Sequence, residues 1–144
     1  MARGGIESFP IPRKVSALAM ATRPRKSTGR TPAELHPRFR ILHRSQVALG
    51  PGKIDLLERI EATGSIGEAA AGMSMSYMRA WTLIRVMNTS FRDPVVSTER
   101  GGRSGGGAQL TETGRAVVAA YRDLEQRSLA AAATPWRRLQ SLLK

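Results

Sequence analysis

Between Lys53 and Asn88 the apolar residues recur every three or four positions, the spacing of one buried face on each of several helices. Ile54, Leu57 and Ile60, with Leu56 alongside, make the first such face, which ends at Thr63-Gly64. Ser65-Ile66-Gly67-Glu68 has the form of a capping box: the Ser hydroxyl takes the backbone N–H three residues on, and the Glu side chain reaches back. A second helix therefore starts at once, turns Ile66, Ala69 and Ala70 inward, and runs to about Gly72. Ser74 and Ser76 both offer the next N-cap. The helix that follows, Ser76 to about Asn88, carries Ala80, Leu83, Ile84 and Met87 on one side. A short Ala-rich helix followed closely by a longer one beginning at Ser predicts a helix-turn-helix. Ala70 suits the closest approach of the two backbones, and Met73 and Met75 fill the core beside the turn.

The flanks read as extended. Phe39-Arg40-Ile41-Leu42 predicts a short strand and Gln46-Val47-Ala48-Leu49 a second, before the break at Gly50-Pro51-Gly52. Val95-Val96-Ser97-Thr98, the Gly-rich stretch 101–107 and Ala108-Gln109-Leu110 predict a hairpin with a pliant tip. Thr111 caps a last helix, with Glu112 in its positively polarised first turn. Gly114, Val117, Tyr121, Leu124, Ser128 and Ala131 recur along it at steps of three and four, a seam for a partner helix. A helix from Thr111 to about Ala132 is roughly 33 Å long, more than one small domain covers, so a second copy is expected on Val117, Tyr121 and Leu124. The expected organisation is a basic arm over 1–36, a winged helix-turn-helix over 37–110, a dimerisation helix over 111–132 and a tail over 133–144. The fold class is α+β, mainly helical.

Charge narrows the partner. Twenty-three Lys and Arg against eleven Asp and Glu give a net charge of +12, as expected of a protein that meets a polyanion. Arg outnumbers Lys, which suits bidentate contacts to phosphate and guanine. The absence of cysteine removes disulfides, thiolate catalysis and Cys-ligated zinc. His36 and His43 fall outside any metal-ligand spacing, so neither metal nor cofactor is expected. No apolar run approaches the roughly 20 residues that span a bilayer. Residues 15–21 after Arg13-Lys14 imitate a signal peptide faintly, but Arg23, Arg25 and Lys26 follow at once, and a cytoplasmic, nucleoid location is expected. Met20 offers an alternative start.

With the apolar side of the Ser76–Asn88 helix turned inward, Tyr77, Met78, Arg79, Thr82 and Arg85 point outward or to the flanks. This is the mix a recognition helix needs, although a merely solvated polar face would look the same in isolation. Arg79 and Thr82, helped by Tyr77, are expected to read bases. Ser65, Ser76, Arg85, Arg100 and Arg103 are expected to hold the phosphate backbone, with Gly102 letting the hairpin tip approach it. Trp81 either wedges against the first helix or sits beside the nucleic acid. The Gly-rich tip lacks the Gly-Lys-Ser/Thr ending of a P-loop and does not open directly into a helix, so a wing is the better reading. The N-terminal arm either adds affinity for a duplex or only aids solubility. No carboxylate pair or Ser/His/Asp set stands out, and an enzyme is not expected. The expected partners are double-stranded DNA and a second copy of the chain; architectural and protein-adaptor roles remain as rivals.

Several of these residues together carry a resemblance: Lys53-Ile54-Asp55-Leu56-Leu57, Thr63-Gly64-Ser65-Ile66 with Ala69-Ala70, Met75-Ser76-Tyr77 with Ala80-Trp81, Met87-Asn88, and Gly101-Gly102 with Gly105-Gly106-Gly107-Ala108 and Leu110-Thr111. Over about residues 38–128 the chain resembles the N-terminal DNA-binding domain of the ModE-type molybdate-responsive transcriptional regulators, a winged helix of LysR type. The resemblance implies a dimer joined through the long last helix, with helix and wing on a pseudo-palindromic operator. Full-length members carry C-terminal oxyanion-binding domains. Residues 129–144 are too few to form one, and no molybdate site is expected in this chain.

Overall fold

The computed structural model describes residues 32–99 and 107–144. In chain order they form β1 (Ile41–His43), β2 (Gln46–Leu49), α1 (Pro51–Thr63), α2 (Ile66–Gly72), α3 (Tyr77–Ser90), β3 (Val96–Thr98), β4 (Ala108–Leu110) and α4 (Glu112–Leu142). This is an α+β winged helix with a long C-terminal helix. The strands pair antiparallel as two separate hairpins, β1 with β2 and β3 with β4.

Local chemistry sets the element ends. Pro51 opens α1, where its missing N–H costs nothing. Gly64 closes it in the left-handed region at φ 69°, its N–H donating to the Ile60 carbonyl at 2.8 Å. The Ser65 hydroxyl accepts from the Glu68 N–H at 3.3 Å and starts α2. The reciprocal half of the expected capping box takes another form: the Ser65 N–H donates to Thr63 Oγ1 at 3.3 Å. Ser74, at φ 53°, reverses the chain, and the Met75 N–H returns to the Ala70 carbonyl at 3.0 Å. The Ser76 hydroxyl then accepts from the Arg79 N–H at 3.2 Å and starts α3.

The core lies where α1, α2, α3 and the β3–β4 hairpin meet. Ile54, Leu57, Ile60, Ala69, Ala80, Ile84 and Met87 are buried there, each large one contributing roughly 1.5–3 kcal/mol of burial free energy. The hairpin base is pinned by the Ala108 N–H, which donates to the Gly64 carbonyl at 2.9 Å. At the start of α4, Thr111 Oγ1 accepts from the Gly114 N–H at 3.0 Å and donates to the Pro94 carbonyl at 2.6 Å. Gly114 lies so close to Val95 that a Cβ there would collide with its carbonyl.

Four expectations need correction. The first strand begins at Ile41 rather than Phe39, because Phe39 turns toward α4, its carbonyl accepting from the Tyr121 hydroxyl at 2.8 Å. Tyr121, expected on a partner interface, is only 2% exposed and belongs to the chain's own core, with Val117 packed half-buried beside it. Leu124 alone of the three seam residues remains exposed. The last helix does not stop near Ala132. It spans 31 residues, about 46 Å, because Ala130 to Ala133 are the best helix formers and Pro135 forfeits only one backbone bond. The tail is thus helix through Leu142. Residues 33–36, expected in the arm, belong to the compact unit that begins at Ala33. The rest of the expected arm, residues 1–31, and the hairpin tip 100–106 lie outside the described residues.

Two consequences are measurable. Gly114→Ala must displace Val95 or α4 and should lower unfolding free energy by about 1–3 kcal/mol in denaturant titrations. Burial, then the charges of Glu125 and Asp55, hold the Tyr121 hydroxyl's pKa above its ordinary value. The folded state therefore keeps that proton more tightly, so this contribution is full below pH about 10 and is lost as pH rises further. Tyr121→Phe should cost about 1 kcal/mol at neutral pH and flatten the alkaline loss.

Candidate nucleic-acid interface

The chemistry-bearing residues of α3 sort by angle. At about 100° per residue, the buried Ala80, Ile84 and Met87 define the inner side. Met78, Thr82 and Arg85 form the opposite, outermost ridge and are all exposed. One flank carries Tyr77 and Trp81, the other Arg79 and the half-buried Leu83.

Each flank borders a cleft. Tyr77 and Trp81 share a cleft of about 390 Å³ with Ser65, Gly67, Thr98 and Gly107, where the start of α2 and the base of the β3–β4 hairpin come together. Trp81 stands in its wall against the start of α2, still more than a third exposed. Arg79 and Leu83 face a larger cleft of about 710 Å³, bordered by Arg38, Arg40 and Lys53. Ser65 and Tyr77 are therefore brought together, whereas Arg79 lies on the other flank. Arg100, Gly102 and Arg103 lie outside the described residues.

Hydrogen bonding within the protein decides what these groups have left to offer. The Ser65 and Ser76 oxygens accept capping N–H groups, which leaves their hydroxyl protons for an outside acceptor. Thr82 is the reverse case: its hydroxyl donates to the Met78 carbonyl at 2.8 Å, and lone pairs remain to accept. Arg79 and Arg85 form no ion pair with any described carboxylate. Asp55, Glu58 and Glu61 of α1 are occupied by α4: Arg115 meets Glu61 at 2.8 Å, and Arg122 meets Glu58 at 2.7 Å, Asp55 at 3.0 Å and Glu125 at 2.7 Å. The hydrogen bond to Glu58, then that to Glu125, holds the Arg122 guanidinium well above its ordinary pKa. Lys53 donates to the Val47 and Ala48 carbonyls, and burial lowers its pKa.

Asn88 is a positioning residue that sequence reasoning met only as part of a motif. Its Oδ1 accepts from the Val95 N–H at 2.9 Å and the Val96 N–H at 3.1 Å, and its Nδ2 donates to the Val96 carbonyl at 2.9 Å. The end of α3 is thereby clamped to the first strand of the hairpin. An amide near the end of a helix, just before a strand, was the available signal. Among the described residues no group of His, Asp or Glu could hold a metal ion, and no helix is long and apolar enough to cross a membrane.

A capped helix-turn-helix, a hairpin clamped to its second helix and an outward row of Arg and hydroxyl residues define a winged helix-turn-helix protein. Comparison with known proteins specifies the kind. No family model matches the chain. It is similar to the molybdenum transport protein ModE of Azotobacter vinelandii, 50% identical over 78 residues, 54% of this chain and 29% of that protein. The molybdenum-pterin-binding protein MopB of Rhodobacter capsulatus is 40% identical over 85 residues, 59% of this chain and 32% of that one. The DNA-binding transcriptional dual regulator ModE of Escherichia coli K12 is 38% identical over 76 residues, 53% and 29% respectively. The chain is thus similar to ModE-type regulators over about half its length, as its motifs implied, and spans about a third of the length of these relatives.

Replacing Asn88 by Ala removes all three bonds between α3 and the Val95–Val96 segment. The expected loss is roughly 1–3 kcal/mol of stability, with faster hydrogen exchange at the Val95 and Val96 amides. Unchanged exchange would show that the clamp does not set the hairpin.

Proposed function

We propose that the chain is a sequence-specific, DNA-binding transcriptional regulator that acts as a homodimer. The observation that carries this reading is the exposed surface of α3, where Arg79 on one flank and Arg85 on the outer ridge have no described carboxylate partner, with exposed Tyr77, Met78 and Thr82 on the same helix. The name of the similar Escherichia coli regulator supports it. The α3 ridge enters the major groove, which an α-helix fits. Arg79 donates to guanine O6 and N7, and Thr82, with its proton engaged by Met78, accepts from an adenine or cytosine amino group. Tyr77 adds contact beside them. Ser65 and Ser76 donate their free hydroxyl protons to phosphates, Arg85 adds charge, and the tip residues Arg100, Gly102 and Arg103 lie along the backbone or minor groove.

The second copy meets the part of α4 that the chain's own core does not use. Leu124, Leu139, Leu142 and Leu143 are exposed there, and such a cluster on a helix rod is a surface for association. Two copies joined in this way present two α3 helices to the half-sites of a pseudo-palindrome.

The test separates base readout from backbone holding. Arg79→Ala should cost about 1–3 kcal/mol on a site selected from a random pool and relax the preference at one position. Arg103→Ala should weaken selected and random duplexes alike and reduce the salt slope by about one unit. Identical behaviour of the two variants in salt-titrated binding would defeat the division of roles, and no binding at low salt would defeat the function.

A further inference from the structure

The larger of the two clefts, on the flank of α3 away from the hairpin, has no part in the reading above beyond its Arg79 edge. It is an open cleft of about 710 Å³. Its cations come from three separate parts of the fold: Arg38 and Arg40 from the segment before β1, Lys53 from α1 and Arg79 from α3. Among the described residues no carboxylate borders it, and Val47, Met75 and Leu83 supply apolar walls. Apolar walls around charges of one sign focus the field into a cleft and raise the local concentration of an opposite charge.

We propose that this cleft is a phosphate seat in which Arg38 and Arg40 hold a tetrahedral oxyanion, with a backbone phosphate of the bound duplex as its source. The roles of the four cations differ, and Arg79 is the one assigned above to base readout. Lys53 already donates to two carbonyls at the end of β2 and holds the floor of the cleft. Arg38 and Arg40 are exposed and form no ion pair with a described carboxylate, and the stem of Arg40 lies against Gly50 at the start of α1. Their planar forks suit phosphate oxygens. Position supplies the rest of the argument. A helix about 10–12 Å across fills a major groove about 12 Å wide, so a phosphate strand passes along each flank. The hairpin serves one flank; the Arg38–Arg40 cleft stands on the other.

This inference rests on the duplex-binding reading, and the experiment separates their failures. The Arg38→Ala/Arg40→Ala double variant is compared with Arg137→Ala/Arg138→Ala, which removes the same formal charge near the far end of α4. Both are titrated against a fixed random-sequence duplex across salt, with the full chain as reference. One phosphate contact contributes about 0.9 to the slope of log affinity against log salt. The advantage of the full chain over the Arg38/Arg40 variant should therefore shrink about 3.5-fold between 50 and 200 mM salt, while the Arg137/Arg138 variant keeps the original slope. Equal slopes for both double variants, or an unchanged slope for the first, would overturn the seat and leave duplex binding standing. If the full chain ignores duplexes in dilute salt, inorganic phosphate is titrated instead, with the Gly52 and Lys53 amides followed by NMR. Saturable shifts that vanish in the Arg38/Arg40 variant then assign the seat to a free oxyanion, and their absence rejects it.

Discussion

The backbone of Val95 is where the parts of this fold are joined. Its N–H is held by the Asn88 side chain at the end of α3, and its carbonyl accepts from the Thr111 N–H at the start of α4. The face of that carbonyl is also where Gly114 packs, so closely that only a residue without a side chain fits. One buried backbone unit thus links the helix that faces outward, the hairpin beside it and the rod that leaves the domain. Paired backbone groups at such a junction are stringent because an orphaned one costs as much as a lost hydrogen bond. The relative placement of α3 and the hairpin follows from that pairing rather than from the short β3–β4 ladder alone.

Charge is segregated by the same packing. The carboxylates of α1 face α4, where Arg115 and Arg122 engage them, the latter against three acids at once. Exposed pairs of this type contribute little to stability individually. Their larger effect is on the field: the α1 acids are neutralised on the α1–α4 side, and Arg79 and Arg85 keep no ion pair with a described carboxylate. Among the described residues, unpaired Arg charge is thereby left on the side on which α3 is exposed, and its attraction for a polyanion is strongest at low salt.

How much of this could be read from the sequence depends on how local each signal is. Ser65, Ser76 and Thr111 cap their helices as expected, because a cap needs only a hydroxyl and an N–H three residues on. The hairpin pairing of Val96 with Leu110 was legible for a similar reason, as apolar strands bracket a glycine tract. The seam on the last helix was not. A three-and-four spacing reports that a face is covered but not by what, and Gly114, Val117 and Tyr121 turn out to face their own domain. The Arg38–Arg40–Arg79 cleft left no trace in spacing, since its members lie 41 residues apart at the extremes and meet only through the tertiary fold. Asn88 was hidden differently: its role depends on two strand amides beyond a turn.

The division of α4 into a packed half and an exposed half has a mechanical consequence for the proposed dimer. Its first turns are fixed to Val95 and α1, and the extended segment from Ala33 lies along its later turns, the Gln140 side chain donating to the Ala33 carbonyl at 3.4 Å. A continuous helix about 46 Å long transmits orientation far better than a loop of equal reach. Contact between copies at Leu139, Leu142 and Leu143 would therefore set the separation and angle of the two α3 helices, with little freedom to adjust. Half-site spacing would then be a property of the rod rather than of the recognition surface. A shift in rod packing could alter operator choice without touching a residue that meets the duplex. Pro135, the one interior position lacking a backbone donor, is where such a rod bends most readily.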